Sequence, residues 1–305
     1  MKPFRSRPAG TDRPARPRRR RRFVVVAVVA SLAVLGGAVE PWAYATFVDT
    51  SAKDRIEADP PPTLFPDATI APIGARITAQ RARADQLMQR WFAQHGSTRD
   101  DTAFEAWLQQ AVPPPPSAAE RTREVARVQA IFPTRTAAGV TAADWLEAHG
   151  KKDVWKLAAH DQAEMLPAST GDALKNDVDA ELSMAKDVAD ALGTKYQQSA
   201  PYVLHPSLRP DHTVNPGDVC PCSYPSRHAA SGAAAQTYLA ARSPHESAYY
   251  RCMLDEIAWS RIYMAGHTES DITAGALLGD MIGEYFLVTR GHEAVPAAGS
   301  SASAG

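Results

Sequence analysis

Apolar residues recur at three- and four-residue spacing along most of this chain, and no stretch alternates at period two. Ile77, Ala84, Leu87, Met88, Trp91 and Phe92 form one such face. Phe104, Trp107, Leu108 and Val112 form a second, ended by Pro113 to Pro116. Ser117 with Glu120 predicts a capped helix start, and Thr141 with Asp144 predicts another ahead of Trp145 and Leu146. Leu174, Val178, Leu182, Ala185, Val188 and Leu192 make a long stripe that Gly193 is expected to stop. After Pro225, the small-residue run from Ala229 to Ala241 has high helix propensity. Ser243, Pro244 and Glu246 open the segment that carries Arg261. The last helix bears Gly275, Gly279 and Gly283, with Asp280 and Glu284 interrupting its apolar surface, so close packing inside a soluble bundle is expected. The pattern predicts an all-α fold, a single-domain helical bundle.

The two ends of the chain differ from this middle. Residues 1–45 join a basic, proline-rich stretch to an apolar run, Phe23 to Val39, and then to Ala43-Tyr44-Ala45. Positive, apolar and Ala-x-Ala regions in that order predict a secretory signal, with an uncleaved membrane anchor as the alternative. The protein is therefore expected outside the cytoplasm: periplasmic, secreted or anchored to the outer face of the membrane. Residues 46–71, with Pro60 to Pro62, predict a linker. Residues 72–292 suit one domain, and 293–305, rich in Ala, Ser, Gly and Pro, predict a disordered tail.

Charge changes the picture of partners. Residues 1–45 hold ten Lys or Arg against two acidic residues, a charge of +8, which leaves −9 for the rest of a chain of formal net charge −1. A basic surface for nucleic acid or anionic lipid is not indicated, and membrane contact is expected only through the N-terminal segment. Three cysteines, Cys220, Cys222 and Cys252, suggest one disulfide in an exported chain, joining Cys252 to Cys220 or Cys222. A zinc site is the alternative, although Cys-x-Cys with one distant Cys matches no common zinc spacing.

Two polar clusters carry the chemistry. In Cys222-Ser-Tyr-Pro-Ser-Arg-His228, Ser226 falls at the N-cap of the small-residue helix, where unpaired N–H groups and the helix dipole favour an anion. In Ser260-Arg261-x5-His267-x3-Asp271, the Arg261 fork suits phosphate oxygens. Asp271 lies four residues after His267, and a carboxylate on one imidazole nitrogen leaves the other free as a nucleophile. Asp271 also forms a capping-box pattern with Thr268. His228 could protonate a leaving oxygen.

These clusters resemble two of the three motifs of the superfamily that groups bacterial class A acid phosphatases, type 2 phosphatidic acid phosphatases and vanadium haloperoxidases. The family writes them P-S-G-H and S-R-x5-H-x3-D; Arg227 replaces the glycine of the first. With at most one membrane span, the chain is similar to the soluble acid phosphatase branch. The resemblance implies a small phosphorylated substrate, no cofactor, and a metal-independent phosphomonoester hydrolysis in which His267 becomes a phosphohistidine. Asp271 would orient His267, His228 would serve the leaving group, and Arg261, Ser226, Arg227 and Lys195 would hold the phosphate. The family's remaining motif, K-x6-R-P, is matched poorly. Alignment on Pro201 puts Ala200 at the arginine position and Gly193 at the lysine position, while Arg209-Pro210 stands at the wrong distance from Lys195. Arg227 would then replace the missing charge or face solvent. A catalytically weak relative that binds phosphorylated ligands and a vanadate-dependent haloperoxidase are the alternative functions. Substrate identity and oligomeric state are not encoded in any motif.

Overall fold

The computed structural model describes residues 51–210, 222–291 and 294–295. Residues 1–45, expected to be a signal or anchor, Cys220 and nearly all of the segment from 293, expected to be a disordered tail, lie outside the described residues. Among those described the protein is all-α, with eleven α-helices and no strand. They are α1 (Ala52–Ala58), α2 (Asp67–His95), α3 (Asp101–Ala111), α4 (Ala118–Ile131), α5 (Ala137–His149), α6 (Asp153–Glu164), α7 (Ala168–Tyr196), α8 (Pro201–Leu204), α9 (Arg227–Arg242), α10 (Ser247–Tyr263) and α11 (Glu269–Thr289).

Local rules explain most boundaries. Ser117 caps α4, its hydroxyl accepting the Glu120 N–H, and Val112 ends α3 before the four prolines. Two expected boundaries move. Thr136, not Thr141, caps α5, because its hydroxyl takes the Gly139 N–H; Thr141 lies inside the helix, bonded back to Ala137 O. The α7 helix runs through Gly193 to Tyr196 and stops at Gln197, whose φ of 47° is left-handed. The expected linker is also partly helical. Ser51 and Asp54 form a capping box on α1, which is fixed to the bundle by Arg55–Asp153, while Trp145 donates to Asp59 O. Short-range capping and ion pairing outweigh the proline content there, and α2 itself starts at Asp67, inside the stretch read as linker.

The bundle is built around α11. That helix is long and apolar enough to cross a membrane by length and composition, yet it is buried here from Ile272 to Val288 apart from Thr273. Its closest neighbour is α9. A methyl group added at Gly275 would stand 2.4 Å from Ser226 O, one at Gly279 2.2 Å from Ala230 O, and one at Gly283 2.8 Å from Ala234 O. These glycines bring two helix backbones together, so the N-terminus of α9 and that of α11 lie side by side: Ser226 N donates to Asp271 O at 2.9 Å. The site is assembled at that end. Cys252 is exposed on α10 and, among the described residues, forms no disulfide, so the expected pairing with Cys222 does not occur; Cys220, the other expected partner, lies outside them. Cys222 instead pairs by backbone with Ser199, beside α9.

Candidate active site

Both histidines lie at this end of the bundle. His228 occupies the first turn of α9, behind the Ser226 N-cap, whose hydroxyl accepts from Ala229 N at 3.4 Å. Its Nε2 meets the backbone carbonyl of Glu147 at 3.2 Å. Burial, helped by the nearby Arg261 charge and His267, drives His228 well below the ordinary imidazole value, so it is neutral at rest. His267 sits just before Thr268, the N-cap of α11, rather than within the helix. Ala265, at a φ of 58°, and Gly266 turn the chain between α10 and α11, and both Gly266 N and His267 N donate to Arg261 O.

The orientation of His267 differs from expectation. Its Nδ1 lies 2.7 Å from the carbonyl oxygen of Ser223 but 3.9 Å from the carboxylate of Asp271. A carbonyl can only accept, so Nδ1 carries the proton and Nε2 keeps its lone pair. Burial lowers the His267 pKa to about 4; Asp271 opposes this, while Arg261 and Arg121 assist it. Asp271 is engaged elsewhere. It completes the capping box on Thr268 and forms a buried ion pair with Arg121 at 2.9 Å. The capping reading of Asp271 is therefore realised, while the expected direct bond from its carboxylate to His267 is replaced by the one from Ser223 O.

Arg261 is 3 % exposed and lies in the last turn of α10. Its Nε donates to Ser260 Oγ, its Nη2 to Ala143 O at 2.9 Å, and its Nη1 pairs with Glu147 at 3.0 Å. The same carboxylate takes Arg209 Nη2 at 3.0 Å. Burial alone would raise the Glu147 pKa; Arg261 and Arg209 outweigh it and hold the acid at about 2. Two guanidinium groups thus flank one anion, next to a histidine bonded to the backbone of the same residue. Two such forks have the chemistry to hold phosphate oxygens, and here they already hold a negative charge.

Arg209 is the cation that the first motif seemed to lack. Counted back from Arg209-Pro210 over six residues, the lysine position is Tyr202, whose ring stacks on the Arg209 guanidinium at 5.8 Å. Of that pattern only the Arg-Pro pair is matched here, and the lysine is absent. The two substitutes proposed from the sequence point elsewhere. Lys195 is exposed, lies over the Tyr196 ring and reaches Gln109 O at 3.3 Å. Arg227 extends along the outside of α9 to Asp190 on α7, at 3.1 Å. Arg227 is held there by the Asp190 carboxylate and does not enter the cradle. Ala200 and Gly193 pack without charge, Gly193 against Cys222.

The family model described as the PAP2 superfamily matches residues 185–291. Members of that superfamily are phosphatases and other phosphoric-ester hydrolases, and this supports phosphatase-type activity for the chain. No curated protein matches the chain. The PAP2 segment contains both histidines, Ser226, Arg209, Arg261 and Asp271. Glu147 and Arg121 come from the helices that precede it. Sequence reasoning missed both, since neither stands in a motif and each meets its partners across 62 to 150 residues of chain.

Proposed function

We propose that the protein hydrolyses phosphomonoesters by transferring the phosphoryl group to His267. One observation carries this reading: Arg261 and Arg209 converge on a single anion beside His228. In the reaction, a phosphate takes the place of the Glu147 carboxylate or shares the two forks with it. The Nε2 lone pair of His267 forms the P–N bond as the P–O bond to the leaving group breaks. Ser223 O keeps the Nδ1 proton in place and stabilises the positive charge that develops on the ring. His228, neutral in the empty site, gains its proton as the phosphate's negative charge arrives and passes it to the departing alkoxide. It then takes a proton from water, whose oxygen attacks phosphorus, releasing inorganic phosphate and restoring His267. The amide groups behind Ser226 add a positive field. Every step as written uses groups of the protein and water. The N-terminal segment supports a place of action outside the cytoplasm.

A second reading, a phosphate-ligand binder of low turnover, is favoured by Tyr202 at the lysine position, which leaves the cradle one cation short. Hydrolysis of an aryl phosphate with EDTA present, by wild type and by His267→Ala and Arg209→Ala variants, separates the two. The phosphatase reading expects metal-independent turnover, abolished by His267→Ala and reduced about 10- to 100-fold by Arg209→Ala, the effect of one charge-assisted bond. Turnover that persists in His267→Ala overturns the nucleophile assignment. Phosphate binding without turnover in wild type favours the second reading.

A further inference from the structure

Arg121, on α4 and outside the PAP2 segment, is almost fully buried and has all of its donors engaged around His267. Nη1 meets both oxygens of Asp271, at 3.0 and 2.9 Å, and the Thr268 hydroxyl; Nη2 donates to Ser199 O and to Ser223 Oγ, each at 2.8 Å. With the Gln198 amide oxygen turned toward it, Nε donates at 3.2 Å. One guanidinium therefore grips the residue whose carbonyl holds His267, the carboxylate that His267 would otherwise address, and the Gln198–Ser199 segment that follows α7.

We propose that Arg121 is a positioning residue for His267, holding Asp271 away from the imidazole and Ser223 against it. The proposal rests on His267 being the reacting histidine. Its consequence is electrostatic. An Asp271 carboxylate freed from Arg121 would turn to Nδ1 across the present 3.9 Å and favour the protonated ring, which has no lone pair for attack. The other charged or titratable groups around His267 are Arg261 on α10 and His228 on α9, with Glu147 on α5 behind them. Arg261 also disfavours an imidazolium, but it is paired with Glu147. Arg121 is thus the group that cancels the nearest negative charge, consistent with the low proton affinity of His267.

The test is a side-chain NMR titration of His267 in the full chain, together with the pH profile of kcat/KM. In Arg121→Met the His267 midpoint should rise by about one unit or more, the effect of an unscreened carboxylate at this range, and the acid limb of kcat/KM should move with it. Arg121→Lys should restore most of the midpoint. Should Arg121→Met fail to fold with Asp271 left unpaired, the Arg121→Met/Asp271→Asn double variant removes both charges, and its midpoint should return to within about half a unit of wild type. A loss of activity in Arg121→Met with an unmoved midpoint, or a double variant whose midpoint rises by more than about one unit, overturns the proposal. The midpoint is read without turnover. A shifted midpoint in a protein that hydrolyses nothing would leave Arg121 in its role and remove the nucleophile assignment instead.

Discussion

Replacing Glu147 by Gln removes the anion shared by Arg261 and Arg209 while keeping the side-chain shape. The depression of the Glu147 acid from 4.5 to about 2 would be worth about 3 kcal/mol if unscreened, at about 1.4 kcal/mol per pH unit. The side chain is 34 % exposed, so solvent screening reduces this to about 1–2 kcal/mol. Arg261, 3 % exposed, would then keep a buried charge without its partner and beside a second arginine, which adds about 1 kcal/mol. The expected loss is about 2–3 kcal/mol, or about 4–10 °C in Tm for a domain of this size. The sign with pH follows from the direction of the shift. A carboxylate whose folded pKa is depressed contributes fully above about 4.5 and loses its contribution as pH falls toward about 2, so the gap between wild type and variant should be full at pH 7 and narrow progressively below about 4.5. Differential scanning fluorimetry and urea unfolding across that range, with and without inorganic phosphate, make the assay. Phosphate should raise the Tm of the variant more than that of wild type, because it supplies the counter-charge that Gln lacks. A variant as stable as wild type at pH 7, or an equal response of both to phosphate, would refute the reasoning that this carboxylate occupies the anion position.

Two further outcomes follow from the packing and from the histidines. Gly279→Ala should destabilise the protein by about 2–4 kcal/mol in urea unfolding, since the new methyl would meet Ala230 O at 2.2 Å and Ala234 N at 2.7 Å, backbone atoms that cannot turn aside. A cost below about 0.5 kcal/mol would mean that α9 and α11 slide apart readily. His267 is neutral when folded, and its pKa is lowered to about 4, so the unfolded chain binds the proton first on acidification. Stability from this group is full above about 6.5 and falls by up to about 3 kcal/mol as pH drops to about 4. His267→Gln should flatten that segment of the pH–stability curve, and an unchanged slope would show that the ring is solvated.

Much of this molecule could be read from adjacent residues. Helical periodicity placed the long elements, since apolar residues that share a helix face must be three or four apart whatever they pack against. The glycine ladder of α11 announced a close helix contact, and the two motifs named His228, Arg261, His267 and Asp271. The features that went unread depend on which elements meet. Lys195 and Arg227 have the right chemistry and lie near the motifs in sequence, yet their side chains leave for Gln109 and Asp190. Arg209 was discounted for its distance from Lys195, yet the fold brings its guanidinium beside Arg261 on the Glu147 carboxylate. Periodicity also could not distinguish the Thr136 cap from the Thr141 capping-box pattern, because both satisfy a local rule and only one is free of the preceding turn.

The chain's own order of residues determined its helices, the helix start at Ser226 and the placing of His267 just after Arg261, because those rest on hydrogen bonds and spacings within a few residues. Tertiary structure alone decided the partners of the charged groups: Glu147 with Arg209 and Arg261, Arg121 with Asp271, and Ser223 O with His267. A buried charge takes whichever counter-charge the packed helices bring within about 3–4 Å, and that choice is made across separations of up to 150 residues that no local pattern records.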